Sequence, residues 1–493
     1  MGVIEMAETA TTKTNYATTA AAAATSAGSA EREKVVLAYS GGLDTSVMVK
    51  WLQTEKNLDV VAICGNVGQD AEDLAWVEKK ALDMGAIYSK ALDMREEYAE
   101  KILTKAIAAN ALYEDTYPLL SALSRPMIVE KLVQIAHETG AAYIAHGCTG
   151  KGNDQVRFET CIHALDPSLK ILAPVREWDL LTREQEMDWA KRHGVPVPTT
   201  AAKPYSIDDN LWGRAIECGV LENPWNEPPA DIWTMTAAPE DAPDAPEEIV
   251  VGFEQGKPVS LNGEAMDLLP LIVKLNEICG KHGYGRLDMI EDRVVGIKSH
   301  ECYECPASLA LINMHHALET LCLDAATLQF KHGIDQQWAK IVYDGLWFSQ
   351  LKEALDSFCA DTQKCVTGEV KAKLYKGSLT VIGRRSAYSL YEYGLATYGD
   401  GDTFDRTASK GFIDLHSLPS KTWSTKQGPA AHGGVAGEGV GSSREANDGD
   451  SAEGDPADVA DVQGTAAEGG ACEGKSDACG CQKAAADKEH AAA

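Results

Sequence analysis

Residues 34–46, Lys-Val-Val-Leu-Ala-Tyr-Ser-Gly-Gly-Leu-Asp-Thr-Ser, place hydroxyl and carboxyl side chains beside two glycines at the end of a short apolar run. The chemistry this order suits is anion binding. The run Val35, Val36, Leu37, Ala38, Tyr39 reads as a strand buried on both faces. Beyond Ser40, Gly41, Gly42 and Leu43, an apolar pattern through Val47, Val49, Trp51 and Leu52 reads as a helix, with Asp44, Thr45 or Ser46 as its cap. Unpaired amides at such a helix start point outward, and the glycines let backbone approach phosphate oxygens. The string is neither a Walker A loop nor a Rossmann fingerprint: no Lys follows Gly42, and no Gly-x-Gly-x-x-Gly is present.

A second loop follows about a hundred residues later. Residues 147–157, Gly-Cys-Thr-Gly-Lys-Gly-Asn-Asp-Gln-Val-Arg, combine three glycines with Lys151, Asn153, Asp154 and Arg157, groups suited to a polar ligand. Its likeness to Walker A is superficial, since Ala145 stands where the first glycine should and Gly152 where Ser or Thr would hold magnesium. Taken alone, it could equally be a surface loop. Cys302-Tyr-Glu-Cys305, with His300, His315 and His316 nearby, raises zinc as a possibility, but no second ligand pair stands at the usual spacing, so no metal site is expected. Cys472, Cys479 and Cys481 likewise lack a full ligand set.

The elements that must position these loops alternate. Strands are expected at 35–39, 59–64, 86–92, 141–145 and 171–173, with helices between them, including 94–109, 127–139 and one opened by a Thr182/Gln185 capping box and closed by Gly194. Alternation of this kind implies parallel crossovers, hence an α/β doubly wound sheet whose ligands sit beyond the strand C-termini, where residues 40–46, 65–69 and 146–154 emerge. Pro196 and Pro198 mark a boundary. After it the reading is mixed α+β: hairpins at 249–261 and 370–382, helices at 266–280, 307–323 and 335–358, and an exposed loop at 235–248. The expected organisation is thus an extension at 1–31, a nucleotide-binding domain at 32–195, a second domain at 196–423 and an acidic tail at 424–493.

Composition narrows the function. A formal charge of −29 over 493 residues argues against a general nucleic-acid binder, which needs a basic face. The 13 cysteines are scattered and mostly in apolar contexts, as in a reduced cytoplasmic protein. No apolar run is long enough for a membrane span, and residues 1–30 lack both an apolar core and arginines, which removes secretory and transit readings. Residues 424–493 contain no Leu, Ile, Met, Phe, Tyr or Trp and carry 13 acids against 5 bases, so disorder is expected there and in the Ala/Thr-rich start.

Ser40-Gly-Gly-Leu-Asp-Thr-Ser46 resembles the pyrophosphate-binding loop of the ATP pyrophosphatase superfamily. Together with residues 147–157, Lys203-Pro204-Tyr205-Ser206-Ile-Asp-Asp-Asn-Leu-Trp and the stretch 276–306, it makes residues 34–423 similar to the argininosuccinate synthase family. That resemblance implies ATP, with Mg2+, L-citrulline and L-aspartate as reactants. Citrulline would be adenylated to citrullyl-AMP with loss of pyrophosphate, and the amine of aspartate would then displace AMP. It further implies ATP contacts at Ala38, Tyr39, Ser40, Gly41, Gly42, Leu43, Asp44, Thr45, Ser46, Gly65 and Gly147; aspartate contacts at Thr149, Asn153 and Asp154; and citrulline contacts at Tyr117, Ser121, Asn153, Arg157, Ser206, Glu291 and Tyr303. Ala215 departs from the serine common in the family. A homotetramer is implied, and no side chain reads as a covalent nucleophile. Other pyrophosphatase-loop synthetases share only the first motif, and a nucleotide sensor would bind ATP without turnover.

Overall fold

The computed structural model describes residues 32–69, 74–180, 182–196 and 205–428. The chain divides into one compact unit ending at Phe404 and a second beginning at Asp405. In the first, β1 (Lys34–Ala38), β2 (Asp59–Asn66), β3 (Tyr88–Asp93), β4 (Tyr143–Ala145) and β5 (Lys170–Leu172) form a sheet of order β3-β2-β1-β4-β5, every pair parallel. This is the expected doubly wound arrangement. Strand alternation sorts β1 between two cores. Val35 and Leu37 pack with Val47, Val49, Leu52, Val77 and Trp189, whereas Val36 packs with Tyr98, Leu123, Leu132 and Phe158. The order reverses between β1 and β4, so the loops that follow these two strands emerge side by side.

Two antiparallel sheets complete this unit. β8 (Glu247–Glu254), β9 (Lys257–Leu261), β10 (Glu264–Ala265), β13 (Gly368–Tyr375) and β14 (Ser378–Arg385) unite both expected hairpins in one sheet, β10-β9-β8-β13-β14. Their turns, Gln255-Gly256 and Lys376-Gly377, have positive φ at both residues, the geometry that matches strand twist. A four-stranded sheet, β11-β12-β7-β6, was not anticipated; it comprises β6 (Ser206–Asn210), β7 (Gly213–Glu217), β11 (Arg286–Asp292) and β12 (Lys298–Glu304). The Leu211 N–H donates to the Val67 carbonyl at 2.9 Å, tying the β6–β7 turn to the loop after β2.

Several expectations are corrected. The first helix spans Leu43–Thr54 with Gly42 as N-cap and no side-chain cap, so Asp44, Thr45 and Ser46 lie within its first turn instead of capping it. The helix expected from 127 is Leu120–Thr139 with Pro126 inside, two turns longer because core packing of Leu120, Ala122 and Leu123 offsets the helical hydrogen bond that proline forgoes. The single helix expected at 335–358 is two, Ala325–Tyr343 and Gln350–Thr362: Gly345 at φ +78 ends one, and the Ser349 hydroxyl caps the other. Residues 235–246 form the expected loop, exposed at 239–241 and 244–246, but its start is anchored where the buried Glu304 carboxylate accepts the N–H groups of Thr234, Met235 and Thr236, and β8 takes over from Glu247. The second unit contains helices Ala408–His416 and Leu418–Gln427, so helix continues through residues 424–427, where disorder was expected. The remaining tail, the N-terminal extension and Lys203-Pro204 lie outside the described residues. Among those described, no helix is long and apolar enough to cross a membrane.

Candidate active site

The loop after β1 has the form expected of an anion site. The first helical bond is Ser46 N–H to the Gly42 carbonyl, which leaves the amides of Leu43, Asp44 and Thr45 without helical acceptors. Ser40 Oγ lies 3.1 Å from Thr45 Oγ1, Tyr39 OH lies 3.3 Å from Ser46 Oγ, and Gly41 takes a left-handed φ of +79. The buried Lys80 ammonium donates to the Gly41 carbonyl at 2.5 Å, bringing a cation to this loop from the helix Leu74–Asp83. Gly65 sits at the C-terminal end of β2, where an added Cβ would meet Met94 Sδ at 3.1 Å. Gly147 abuts the same helix start, since a Cβ there would lie 2.9 Å from Met48 Cε and 3.4 Å from Thr45 Cγ2.

From Gly147 a cleft of about 290 Å3 opens between the end of the parallel sheet and the four-stranded sheet. Into its lining the fold brings Thr149, Asn153 and Asp154 together with Tyr117, Ser121, Arg157, Ser206, Glu291 and Tyr303. All the residues proposed for the two amino acids therefore share one cavity. Of the nucleotide candidates only Gly147 lines it; Ala38, Tyr39, Ser40, Gly41, Gly42, Leu43, Asp44, Thr45, Ser46 and Gly65 lie outside its lining. Ala215 faces the cleft on β7, flanked across the sheet by Asp208 and Tyr303, so no hydroxyl is supplied there.

Charge in the cleft is organised by pairs. Asp154, at the start of the helix Asp154–Leu165, accepts from Arg125 Nε at 2.9 Å and from Arg157 Nη1 at 3.0 Å. Burial alone would raise its pKa, yet the two guanidinium groups hold it well below the usual carboxylate range. Arg125 also reaches Asp208 at 2.5 Å, and Ser121 donates to that same carboxylate. Arg157, 3% exposed, donates through Nε to the Tyr343 carbonyl at 3.0 Å, lies 4.9 Å from the Tyr343 ring, and keeps Nη2 buried with no partner among the described residues. Glu291 is its counterpart. Buried at 3% exposure, it accepts from Tyr303, Tyr343 and Asn153 Nδ2, but no described Lys, Arg or His forms an ion pair with it. Stacking of Tyr117 on Tyr303 and of Tyr113 on Tyr343, with centroids 4.3 and 3.6 Å apart, fixes this wall.

Sequence reasoning missed Arg125, Asp208, Glu217, Arg293 and Glu301, all of which line or brace the cleft. Arg293 bridges Glu217 and Glu301, and burial together with the charges of Glu217 and Glu291 pushes Glu301 upward. The findable signal was the odd density of charge on short strands: 206–210 and 213–217 carry Asp208, Asp209, Arg214 and Glu217 in ten positions. The cysteine and histidine cluster does not assemble as one group. Cys305 precedes the helix Pro306–Cys322, and His315 is buried against Asn110 and Gln363.

Comparison with known proteins places the chain in a family. Residues 34–196 match the model of the arginosuccinate synthase N-terminal HUP domain, and residues 205–423 that of the arginosuccinate synthase C-terminal domain. Proteins named argininosuccinate synthase are similar throughout: that of Symbiobacterium thermophilum is 53% identical over 80% of this chain and 98% of its own. Those of Oceanobacillus iheyensis and Geobacillus thermodenitrificans are each 55% identical, over 81% and 79% of this chain and 95% of their own. With both domains matched in order and identity above half across almost the whole of each relative, the chain belongs to the argininosuccinate synthase family.

Proposed function

We propose that the chain ligates L-citrulline to L-aspartate at the expense of ATP, releasing AMP and pyrophosphate and forming argininosuccinate. The observation that carries this reading is the pairing, in one cleft, of a buried guanidinium N–H on Arg157 with a buried Glu291 carboxylate, the first without a hydrogen-bond partner and the second without an ion-paired cation among the described residues. An α-amino acid supplies what each lacks: a carboxylate for Arg157 and an ammonium for Glu291. Tyr117, Ser121, Ser206 and Tyr303 would then surround citrulline. Thr149, Asn153 and Asp154 would take aspartate, although Asp154 already serves two guanidinium groups and offers only its remaining lone pairs.

Residues 38–46, with Gly65 and Gly147, would hold ATP, the free amides of the helix start receiving the β- and γ-phosphates. The ureido carbon of citrulline is a poor electrophile. Attack of its oxygen on the α-phosphorus expels pyrophosphate and converts that oxygen into a leaving group; the aspartate amine then adds to the carbon and AMP departs. The chain's own part is positioning and charge, with no covalent nucleophile. For Mg2+, Asp44 and Glu186 offer a fitting hard-oxygen set. Burial and the facing Asp44 push Glu186 upward against the opposing charge of Arg183, and its Oε1 is buried without a partner among the described residues. Mg2+ bound there would neutralise phosphate charge.

Assembly as a homotetramer is part of this proposal, supported by the apolar side chains that the first unit leaves open near its end, Tyr391, Tyr393 and Tyr398 being 63, 64 and 99% exposed. A cytoplasmic setting is favoured by ten free cysteines among the described residues. The reaction is tested with citrulline carrying oxygen-18 in its ureido group. The label should appear in AMP only when aspartate is present to complete turnover. ADP, or AMP carrying solvent oxygen, as the main product would overturn the mechanism.

A further inference from the structure

Strand β12 has two working faces. Glu301 and Tyr303 line the cleft, and by strand alternation His300 and Cys302 point to the other side of the sheet. There they meet Asp288 of β11, which pairs with Cys302 across the two strands. One ligand atom from each of Asp288, His300 and Cys302 lies within 4.8 Å of the other two. Asp288 Oδ1 is 2.9 Å from His300 Nε2, and Asp288 Oδ2 is 3.9 Å from Cys302 Sγ.

The hydrogen bonding around His300 fixes what this trio lacks. Its Nδ1 lies 2.7 Å from the Leu221 carbonyl, an acceptor only, so the Nδ1 proton must be present. In neutral imidazole Nε2 then carries a lone pair, yet it faces a carboxylate oxygen. Nε2 therefore presents its lone pair toward Asp288 and Cys302, the orientation in which all three side chains can hold one cation. An imidazole oriented by a backbone carbonyl through Nδ1 while Nε2 points at anionic donors is also how metal-bound histidines are held. The third donor is a thiol, which selects for a soft or borderline ion over Mg2+ or Ca2+. Both inner ligands are sequestered, the His300 side chain being 4% exposed and Cys302 0%, whereas Asp288 is half exposed and opens the trio to solvent.

We infer that Asp288, His300 and Cys302 form a binding site for a thiophilic divalent cation such as Zn2+, separate from the substrate cleft and on the opposite face of β12. Binding replaces the Cys302 thiol proton with a sulfur–metal bond, and that proton passes to the buffer, so no redox partner is needed. In the metal-free state the thiol is inert, its pKa pushed up to about 12 by burial and by Asp288, and only a bound cation offsets that cost.

The probe is Co2+ followed by Zn2+, added to the full-length reduced protein. Co2+ should give a near-ultraviolet sulfur-to-cobalt charge-transfer band at one equivalent, and Zn2+ should abolish it. Calorimetry in buffers of different ionisation enthalpy should show proton release. Cys302→Ser should remove the band and weaken Zn2+ binding more than about 100-fold, beyond the loss that follows removal of an outer partner. Because Cys302 is buried, Asp288→Asn serves as the variant at an exposed position: it should weaken Zn2+ binding at least about tenfold while basal turnover is unchanged. Absence of a stoichiometric band, or an unaltered band and affinity in both variants, overturns the site and leaves an ordinary histidine–carboxylate contact.

Discussion

Two buried charge clusters in this molecule follow opposite rules. Around Lys331 the groups close on one another: its ammonium meets Glu319 at 3.1 Å, Asp335 at 2.7 Å and the Ala108 carbonyl at 2.8 Å, while Asn110, His315 and Gln363 take up the remaining contacts. Around Arg157 they do not close, since among the described residues Nη2 has no partner and Glu291 no ion-paired cation. A buried polar group left unsatisfied costs roughly 1 to 3 kcal/mol, more when charged. The closed cluster holds helices together, whereas the open one keeps its deficit where a zwitterion can fill it.

The comparison is broken most sharply by removing its two cations. Arg157→Ala should lower kcat/KM for citrulline by about 3 to 5 kcal/mol in activation free energy, because Asp154 and the substrate carboxylate both lose a buried partner. Lys331→Met should cost a similar amount, about 3 to 5 kcal/mol, but in unfolding free energy, leaving KM for citrulline near the wild-type value. Steady-state kinetics and urea denaturation on both variants decide the matter. If Arg157→Ala chiefly destabilises the fold, or Lys331→Met chiefly raises KM, the distinction fails.

A smaller loss is expected from Tyr343→Phe, which deletes a hydroxyl that donates to Glu291 and accepts from Asn153 Nδ2 at 2.9 Å. The expected loss is about 1.5 to 3 kcal/mol in kcat/KM for citrulline, read by the same kinetics, with KM for ATP unmoved. The smallest effect concerns pH. Glu301 is raised to about 7 by burial and by the charges of Glu217 and Glu291, against Arg293 and Ser299, which lower it. Between the ordinary carboxyl range and that value the folded chain keeps a proton that the unfolded chain has lost. Stability from this group is therefore fully present below the window and falls as pH rises through it. Glu301→Gln should flatten the denaturation midpoint between pH 5 and 7, and an unchanged slope would remove Glu301 as its source.

The closed cluster and the open one were not equally visible in the sequence. The loops at 40–46 and 147–157 announce themselves because glycine, hydroxyl and charged residues crowd into short strings after apolar strands. Glu291 and Tyr303 were named only through the resemblance, for nothing local distinguishes a strand carboxylate that faces a cleft from one in water. Arg125, Asp208 and Arg293 escaped for the same reason: their partners Asp154, Arg125 and Glu217 lie 29, 83 and 76 positions away. The four-stranded sheet was missed because its polar, short strands lack the apolar alternation that marks a half-buried one.

Gly345, the residue that splits the expected long helix, reaches further than its place in a connecting turn suggests. A Cβ on it would lie 2.8 Å from the Arg157 Cα, and its carbonyl accepts from the Cys161 thiol of the same helix. The backbone that seats Arg157 therefore rests on the absence of a side chain 188 positions away. In a library of random variants selected for growth without arginine, replacements at Gly345 should be depleted alongside those at Arg157, so that a position with no ligand to touch inherits the mutational intolerance of one that has.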